Sequence, residues 1–258
     1  MENKIIGVIP AKMSSHHFPN KPMAEILGMP MIGHVYNRVR LCPDFSDVYV
    51  ATNDSQIIDY ITSIGGKCVV IEESRISATD RVAEAVRKIE SEKKTIYDLA
   101  VLIQPDEPMI TPELIGRAIS PLVMDENLKM TTLMSEITDD KIFYDRNEIK
   151  VVVDTQNNAL YFSREPIPTD SRSMKFPRMK LVGIDVFRRS FLNKFNIMLS
   201  TPLELAEGID LIRIIENGVK IKMTLTDQAT FSVNHPEELP LVEKLMQEEG
   251  YLLKKYMK

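Results

Sequence analysis

The sequence predicts an α/β fold with a mostly parallel mixed sheet flanked by helices. Three observations carry this. Short β-branched runs alternate with stretches whose apolar residues recur at helical spacing, the pattern of strand-helix-strand units. The first of those runs is apolar on both faces, as a parallel strand covered by helices on each side must be. With 258 residues, 44% of them hydrophobic and 27% charged, the chain can bury the core of one compact domain or of a domain with a sizeable insertion.

Ile5, Ile6, Gly7, Val8 and Ile9 form the first strand, which ends at Pro10. After Pro30 a helix presents Met31, Ile32, Val35, Tyr36 and Val39 on one face, and Val48 to Ala51 makes the second strand. Asp54 or Ser55 caps the next helix, which carries Ile57, Ile58, Ile61 and Ile64 and stops at Gly65-Gly66 before a strand over Lys67 to Ile71. Thr79 or Asp80 caps a helix with Val82, Ala85, Val86 and Ile89 inward, and Leu99 to Ile103 is a further buried strand. Thr111-Pro112-Glu113 opens the helix after it, with Pro at the first helical position, where a missing N–H costs nothing.

Between about Asp145 and Asn196 the rhythm changes. Ile149 to Val153, the Asn157-Asn158 turn and Ala159 to Phe162 read as an antiparallel hairpin inside an insertion. Ser171 to Arg178 has no periodicity and, with Arg172, Lys175, Arg178 and the adjacent Lys180, reads as a mobile cationic loop. Thr201-Pro202-Leu203-Glu204 is a capping box opening a helix that ends near Asn217-Gly218. A strand over Lys220 to Thr226 and a final helix from Pro236 complete the chain, which shows no internal repeat.

Thirty-two Lys and Arg against 37 Asp and Glu, with a sequence pI near 5.5, argue against broad nucleic-acid binding, which needs a basic surface. Any polyanion the protein handles should be small. No apolar run approaches the ~20 residues that span a bilayer, and the first ten residues lack the pattern of a secretion signal, so a cytoplasmic location is expected. Cys42 and Cys68 have no metal-ligand spacing, and His16, His17, His34 and His235 complete none, so the cysteines read as small buried hydrophobes.

Chemistry concentrates at two places. Pro10 to Pro22 is a polar loop at the carboxyl end of the first strand, where open α/β sheets bind ligands, and Lys12 and Lys21 with free backbone N–H groups suit nucleotide phosphates. A solvated surface loop is the other reading. The glycine fingerprints of a P-loop or a dinucleotide fold are missing. Beyond the strand at Leu99 to Ile103, Gln104-Pro105-Asp106-Glu107-Pro108 places Asp106 at the same sheet edge. A lone carboxylate opposite a phosphate loop can hold Mg²⁺, which keeps several waters and takes one or two carboxylates plus substrate phosphates; a turn or capping Asp is the plainer alternative.

Ile9-Pro10-Ala11 with Phe18-Pro19-Asn20-Lys21-Pro22, Gly28 to Val35, Val50-Ala51-Thr52, Ser77 to Glu84, Gln104 with Asp106 to Met109, Ile149 to Arg164, and Pro202-Leu203-Glu204 recur in order along nearly the whole chain. In these the sequence resembles the cytidylyltransferases that make CMP-activated 3-deoxy-octulosonic acid, the CMP-Kdo synthetases. Each piece is weak alone; together they are specific. The resemblance implies a nucleotide-diphospho-sugar transferase-like fold in a single domain over residues 1–258, with an antiparallel dimerisation insertion at about 145–196 that builds a homodimer. It implies transfer of CMP from CTP to a 3-deoxy-ulosonic acid with release of pyrophosphate, for lipopolysaccharide or capsule synthesis. Residue by residue, Lys12 and Lys21 contact the triphosphate and Asp106 binds Mg²⁺, as the catalytic set. Pro10, Ala11, Ser77, Ala78, Thr79, Arg81 and Pro105 line the nucleotide, and Gln104 and Arg164 hold the sugar acid, for whose carboxylate a planar arginine fork is fitted.

The departures from the family pattern carry information. Lys12 stands for an Arg and keeps the charge without the bidentate fork, while His17, Pro105 and Ala78 stand for Arg, Gly and Gly. Asn234 in Val233-Asn234-His235-Pro236 replaces an Asp that completes the metal site. It can offer only a carbonyl oxygen; the alternative is that Asn234 and His235 simply begin the helix at Pro236. On the sugar side Leu181, Asp185 and Leu211 replace His, Tyr and Gln. Asp185 and Asp210 suggest an amino-substituted acceptor such as 8-amino-Kdo, its ammonium paired to one of them, unless Asp185 points to solvent from the other strand face. Two alternatives accompany this reading: CMP transfer to another acidic acceptor, a nonulosonic acid or a phosphonate, and a nucleotide-binding paralogue without catalysis.

Overall fold

A computed structural model describes residues 3–14, 18–72, 77–169, 176–228 and 230–257. The fold is α/β with a mainly parallel sheet flanked by helices. The chain divides into two compact units, one comprising Met1–Gly116 with Thr230–Lys258, the other Arg117–Ala229.

In the first unit β1 (Ile5–Pro10) is buried along its whole length. A small antiparallel hairpin, β2 (Glu25–Ile26) and β3 (Met29–Pro30), precedes α1 (Met31–Arg40). Next come β4 (Asp47–Thr52), α2 (Ser55–Ser63), β5 (Cys68–Val70), α3 (Ala78–Lys93), β6 (Leu99–Ile103) and α4 (Pro112–Met124), within which the unit boundary falls. The strands lie in the order β6-β1-β4-β5 and every pair is parallel. This is why β1 and β6 are uninterrupted apolar runs. The stop at Gly65 is made by its left-handed φ of 70°, which costs a residue without Cβ nothing.

Two caps differ from the sequence expectation. Ser77, not Thr79 or Asp80, caps α3: its Oγ accepts from the Asp80 N–H at 3.0 Å. Asp54 occupies the N-cap of α2 but makes no side-chain cap bond; its carboxylate accepts instead from the Met13 N–H at 2.8 Å. Of the α2 isoleucines only Ile57 and Ile61 are fully buried, and Cys68 is half-buried while Cys42 is enclosed.

The second unit holds β7 (Met130–Glu136), α5 (Asp140–Tyr144), β8 (Lys150–Val153), β9 (Ala159–Ser163), β10 (Met179–Arg188), α6 (Arg189–Phe195), α7 (Pro202–Glu207), α8 (Leu211–Glu216) and β11 (Lys222–Thr226). β11 runs parallel to β7, and β7 is antiparallel to β10, which carries the antiparallel β8-β9 hairpin. The hairpin lies where the sequence puts it, with Asn157 left-handed in its turn at φ 58°. The expected single helix after Thr201 is two, because Gly208 takes φ 65° at the end of α7. His17, Arg172 and Lys175 lie outside the described residues.

The chain then returns to the first unit, where a turn of 3-10 helix over Pro236–Glu238 leads into α9 (Leu239–Glu249) and α10 (Leu253–Tyr256). Val242 and Met246 of α9 share a small apolar core with Phe18, Ile26, Met31 and Val233.

Candidate functional site

The loop after β1 is folded back on itself by backbone bonds. Ala11 extends the β1-β4 pairing through its N–H to the Ala51 carbonyl at 2.9 Å, and the Asn20 N–H donates to the Met13 carbonyl at 3.1 Å. Asn20 sits at φ 61°, a conformation that Asn tolerates better than most residues with a Cβ. One 3-10 turn over Lys21–Met23 follows. Phe18 anchors the loop from below by packing in the core shared with α9, and the Leu27 N–H donates to Glu243 of that helix at 2.8 Å.

This folding delivers Lys21 to Asp106. The ammonium pairs with Asp106 Oδ2 and also donates to the Val233 carbonyl at 3.0 Å, while the Val233 N–H donates to the Asp106 carbonyl at 2.9 Å. Asp106 stands in the turn after β6, closed by the Glu107 N–H to the Gln104 carbonyl, and Ser232 donates to the buried Glu107 carboxylate. Three segments distant in sequence thus meet at one cation and one carboxylate. The Lys21 and Asp106 side chains are 17% and 24% exposed, sheltered enough to strengthen their attraction yet reachable by a ligand.

The remaining nucleotide candidates lie in the same unit. Pro10 ends β1 and Ala11 is buried; Lys12 is exposed and has no ion pair among the described residues. Ser77 is committed to capping: it also donates to the Asp80 carboxylate at 2.9 Å, and Arg81 Nε donates back to the Ser77 carbonyl at 3.3 Å. Ala78 begins α3 and Thr79 is fully buried. Gln104 and Pro105 are half-buried beside Asp106. At Asn234 and His235 both backbone N–H groups donate to the Glu238 carboxylate, at 2.6 and 2.8 Å, the geometry of a helix start. Asn234 nonetheless directly follows the Val233 that binds both Lys21 and Asp106.

Among the described residues no group of three or more His, Cys, Asp or Glu could enclose a metal ion. The donor chemistry of Asp106 still fits Mg²⁺, because this ion takes one or two carboxylates and completes its shell with water and phosphate oxygens.

The sugar-acid candidates Arg164, Asp185 and Asp210 lie in the second unit. Arg164 follows β9, and its guanidinium donates to the carbonyls of Glu207 at 2.9 Å, Arg146 at 3.0 Å and Gly208 at 3.5 Å. A carboxylate must therefore use the two remaining N–H groups of the fork or displace these carbonyls. The Arg164 backbone is pinned on both sides: its N–H donates to Glu207, and its carbonyl accepts from Lys150. Lys150 is fully buried, and its ammonium also donates to the carbonyls of Asp145 and Glu148, at 2.8 and 2.7 Å. Burial lowers its pKa.

Asp185 does not point to solvent. A bulge in β10 between Val182 and Asp185 turns it inward, where it is 4% exposed opposite Thr132. Burial first, and the charge of Asp210 in addition, push its carboxyl up to about 7. Asp210 is half-buried at the start of α8.

Sequence reasoning missed the Val233 carbonyl, Lys150 and Glu207, and gave Asp54 a different task. A backbone acceptor leaves no trace in residue type. Lys150 looked like one member of an alternating strand, and nothing in its spacing tells that it is inside.

A sequence profile described as Cytidylyltransferase matches residues 6–221. The chain is 39% identical over 254 residues to a 3-deoxy-manno-octulosonate cytidylyltransferase of Geobacter metallireducens, covering 94% of this chain and 98% of that protein. It is 38% identical over 258 residues to the protein of the same name from Geotalea daltonii, covering 96% and 100%. A solved structure of CMP:2-keto-3-deoxy-manno-octonic acid synthetase complexed with CTP superimposes with a TM-score of 0.84 at 33% identity, over 95% of this chain and 99% of that one.

Proposed function

This chain belongs to the 3-deoxy-manno-octulosonate cytidylyltransferase family, and from that premise we propose that it transfers CMP from CTP to a 3-deoxy-ulosonic acid at the Lys21-Asp106 site. The anomeric hydroxyl of the acid attacks the α-phosphate, a new P–O bond forms, and the bond to pyrophosphate breaks. The CMP-sugar made in this way serves lipopolysaccharide or capsule synthesis.

The observation that supports this reading is the meeting of Lys21, Asp106 and Val233. In the free protein the lysine and the aspartate neutralise each other, so neither charge is stranded. With substrate present the two exchange partners: Lys21 turns to the phosphates, joined by Lys12, and Asp106 becomes available to an ion. Bound there, Mg²⁺ supplies charge neutralisation on the triphosphate; Asp106 would hold it, with the side-chain carbonyl of Asn234 as a second donor. Ala78 and Thr79, at the amino end of α3, bring the positive end of a helix dipole to the nucleotide. Transfer of this kind is catalysed by alignment and preorganised charge, and no covalent enzyme intermediate is needed.

The test is a pyrophosphate-release assay crossing four nucleotides with a panel of 2-keto sugar acids in Mg²⁺. CTP with a 3-deoxy-ulosonic acid should be the productive pair, and Lys21→Ala should lower its turnover on the order of a hundredfold or more with the fold intact. Near-normal turnover by that variant would refute the assignment of Lys21. Pyrophosphate released only with a nonulosonic acid or a phosphonate would move the acceptor, and CTP binding without release for any acceptor would leave a non-catalytic protein.

We also infer a cytoplasmic homodimer built through residues 145–196. Leu160 and Phe176 within that segment are each 57% exposed, an apolar surface suited to a partner copy. Sedimentation equilibrium should return twice the chain mass of 29.4 kDa, and Leu160→Lys should shift the population toward monomer. A monomeric wild type would end this inference.

A further inference from the structure

Asp185 is a buried acid that no cation answers among the described residues. Its Oδ1 has no hydrogen-bond partner among the described residues. Thr132, directly across the strand pair, is the side chain that hydrogen-bonds toward Asp185 and favours its charged form, but that hydroxyl is shared with the Ile184 carbonyl at 2.9 Å. The charged group that acts on Asp185 is a second acid, Asp210, and its neighbours on β10, Ile184, Val186 and Phe187, are fully enclosed and apolar. Buried carboxylates are ordinarily paired or fully hydrogen-bonded, and two of them close together raise the cost further. A strand that keeps such a residue is arranged for a donor from outside the chain.

The surroundings indicate what kind of donor. The Arg164 guanidinium donates to the carbonyls of Glu207 and Gly208, and Asp210 follows two residues later. One short segment therefore joins the arginine suited to a carboxylate with the acid that acts on Asp185. All of these residues belong to the second unit. An acceptor read by both groups carries a negative charge at one end and a positive charge at the other. A sugar hydroxyl could donate one hydrogen bond to Asp185, but it brings no charge to offset a buried carboxylate. A primary ammonium brings three donors and a full charge, and it has no acceptor to conflict with either acid.

We propose that Asp185, assisted by Asp210, is the specificity-determining acid for an amine-bearing ulosonic acid, whose ammonium it pairs with while Arg164 binds the carboxylate. This rests on the transfer reading above only for the identity of the acceptor as an ulosonic acid. The effect of Asp185 is on which acceptor is held.

The experiment is calorimetric titration of the full chain, with Mg²⁺ and a CTP analogue whose α,β-bridge cannot be cleaved. The titrants are 3-deoxy-manno-octulosonate and its amino-substituted analogues, the 8-amino compound first. At least one amine should bind ten times or more tighter than the parent acid. Asp185→Asn should bring that preference to within about twofold, with the loss of affinity falling on the amine. Asp185→Tyr, the residue of the family pattern, should also abolish it, and melting curves of both variants report whether they fold. The proposal is overturned if the wild type holds the parent acid as tightly as every amine, if the preference survives in Asp185→Asn, or if no acid binds. Pyrophosphate release measured separately with CTP keeps the two readings apart: tight, Asp185-dependent amine binding without release would end the transfer reading and leave this one standing.

Discussion

Two lysines show how differently the same side chain is used. Lys150 is fully enclosed, and all three of its donors go to carbonyls, those of Asp145, Glu148 and Arg164. It has no capacity left for a ligand; its work is to close the base of the β8-β9 hairpin and fix the backbone of Arg164. Lys21 keeps 17% of its side-chain surface and pairs with a carboxylate that is itself 24% exposed. Lys150→Met preserves volume but strands three buried carbonyls, so it should cost about 2–4 kcal/mol in denaturant unfolding. Its effect on function should appear in KM for the sugar acid, through Arg164, with the KM for CTP unchanged. That Lys21 comes to Asp106 could be seen in the sequence, because both follow buried strands that end at one sheet edge. The enclosure of Lys150 could not, because burial of a lysine depends on carbonyls brought in from two other turns.

At the level of elements, the parallel core was readable because its strands are apolar on both faces and its helices keep a clean period. The reading failed where a competing local feature decided the outcome. Thr201 to Asn217 has the caps of one helix, but Gly208 adopts a left-handed φ of 65° and the chain makes two. Ser77 outcompetes Thr79 and Asp80 as cap because its hydroxyl reaches the Asp80 N–H three residues on. The part played by α9 was also invisible, since a final helix reads as an appendage. In the structure it underlies the loop after β1: Met246 and Val242 are fully buried in one apolar core with Phe18 and Val233. Met246→Ala should therefore destabilise by about 2–5 kcal/mol through the cavity it leaves. If α9 positions the loop, the same variant should lower kcat well below the loss expected from the unfolded fraction at the assay temperature. A kcat that simply tracks the folded fraction would reduce α9 to a packing role.

For the whole molecule, two buried groups in different units pull stability in opposite directions as pH changes. In the first unit the His34 ring is fully enclosed. With Nε2–H donating to the Ile26 carbonyl at 2.7 Å, Nδ1 accepts from the Tyr256 hydroxyl at 2.9 Å, and that hydroxyl in turn accepts from Arg38 Nε at 3.1 Å. Burial, the largest influence, holds the ring down to about 4 against 6.5 in the unfolded chain. Between those values the unfolded chain binds the proton and the folded one does not, so stability falls as pH drops from 6.5 to 4, by up to about 3 kcal/mol. In the second unit Asp185 is raised to about 7 from 3.8. Here the folded chain binds the proton over that window, so stability falls as pH rises from 3.8 to 7, by up to about 4 kcal/mol, and stays lowered above. Asp185→Asn removes the second slope alone. Relative to the wild type it should raise the melting temperature at pH 8, with the gain shrinking steadily below pH 7 and gone near pH 4, where the aspartate would be protonated in both states. The variant should also show, uncovered, the loss of stability from pH 6.5 to 4 that His34 imposes. A melting temperature at pH 8 that does not rise in Asp185→Asn would mean that the buried carboxyl is compensated within the fold, and the stability that the wild type gives up at neutral pH would then have no link to the acceptor site.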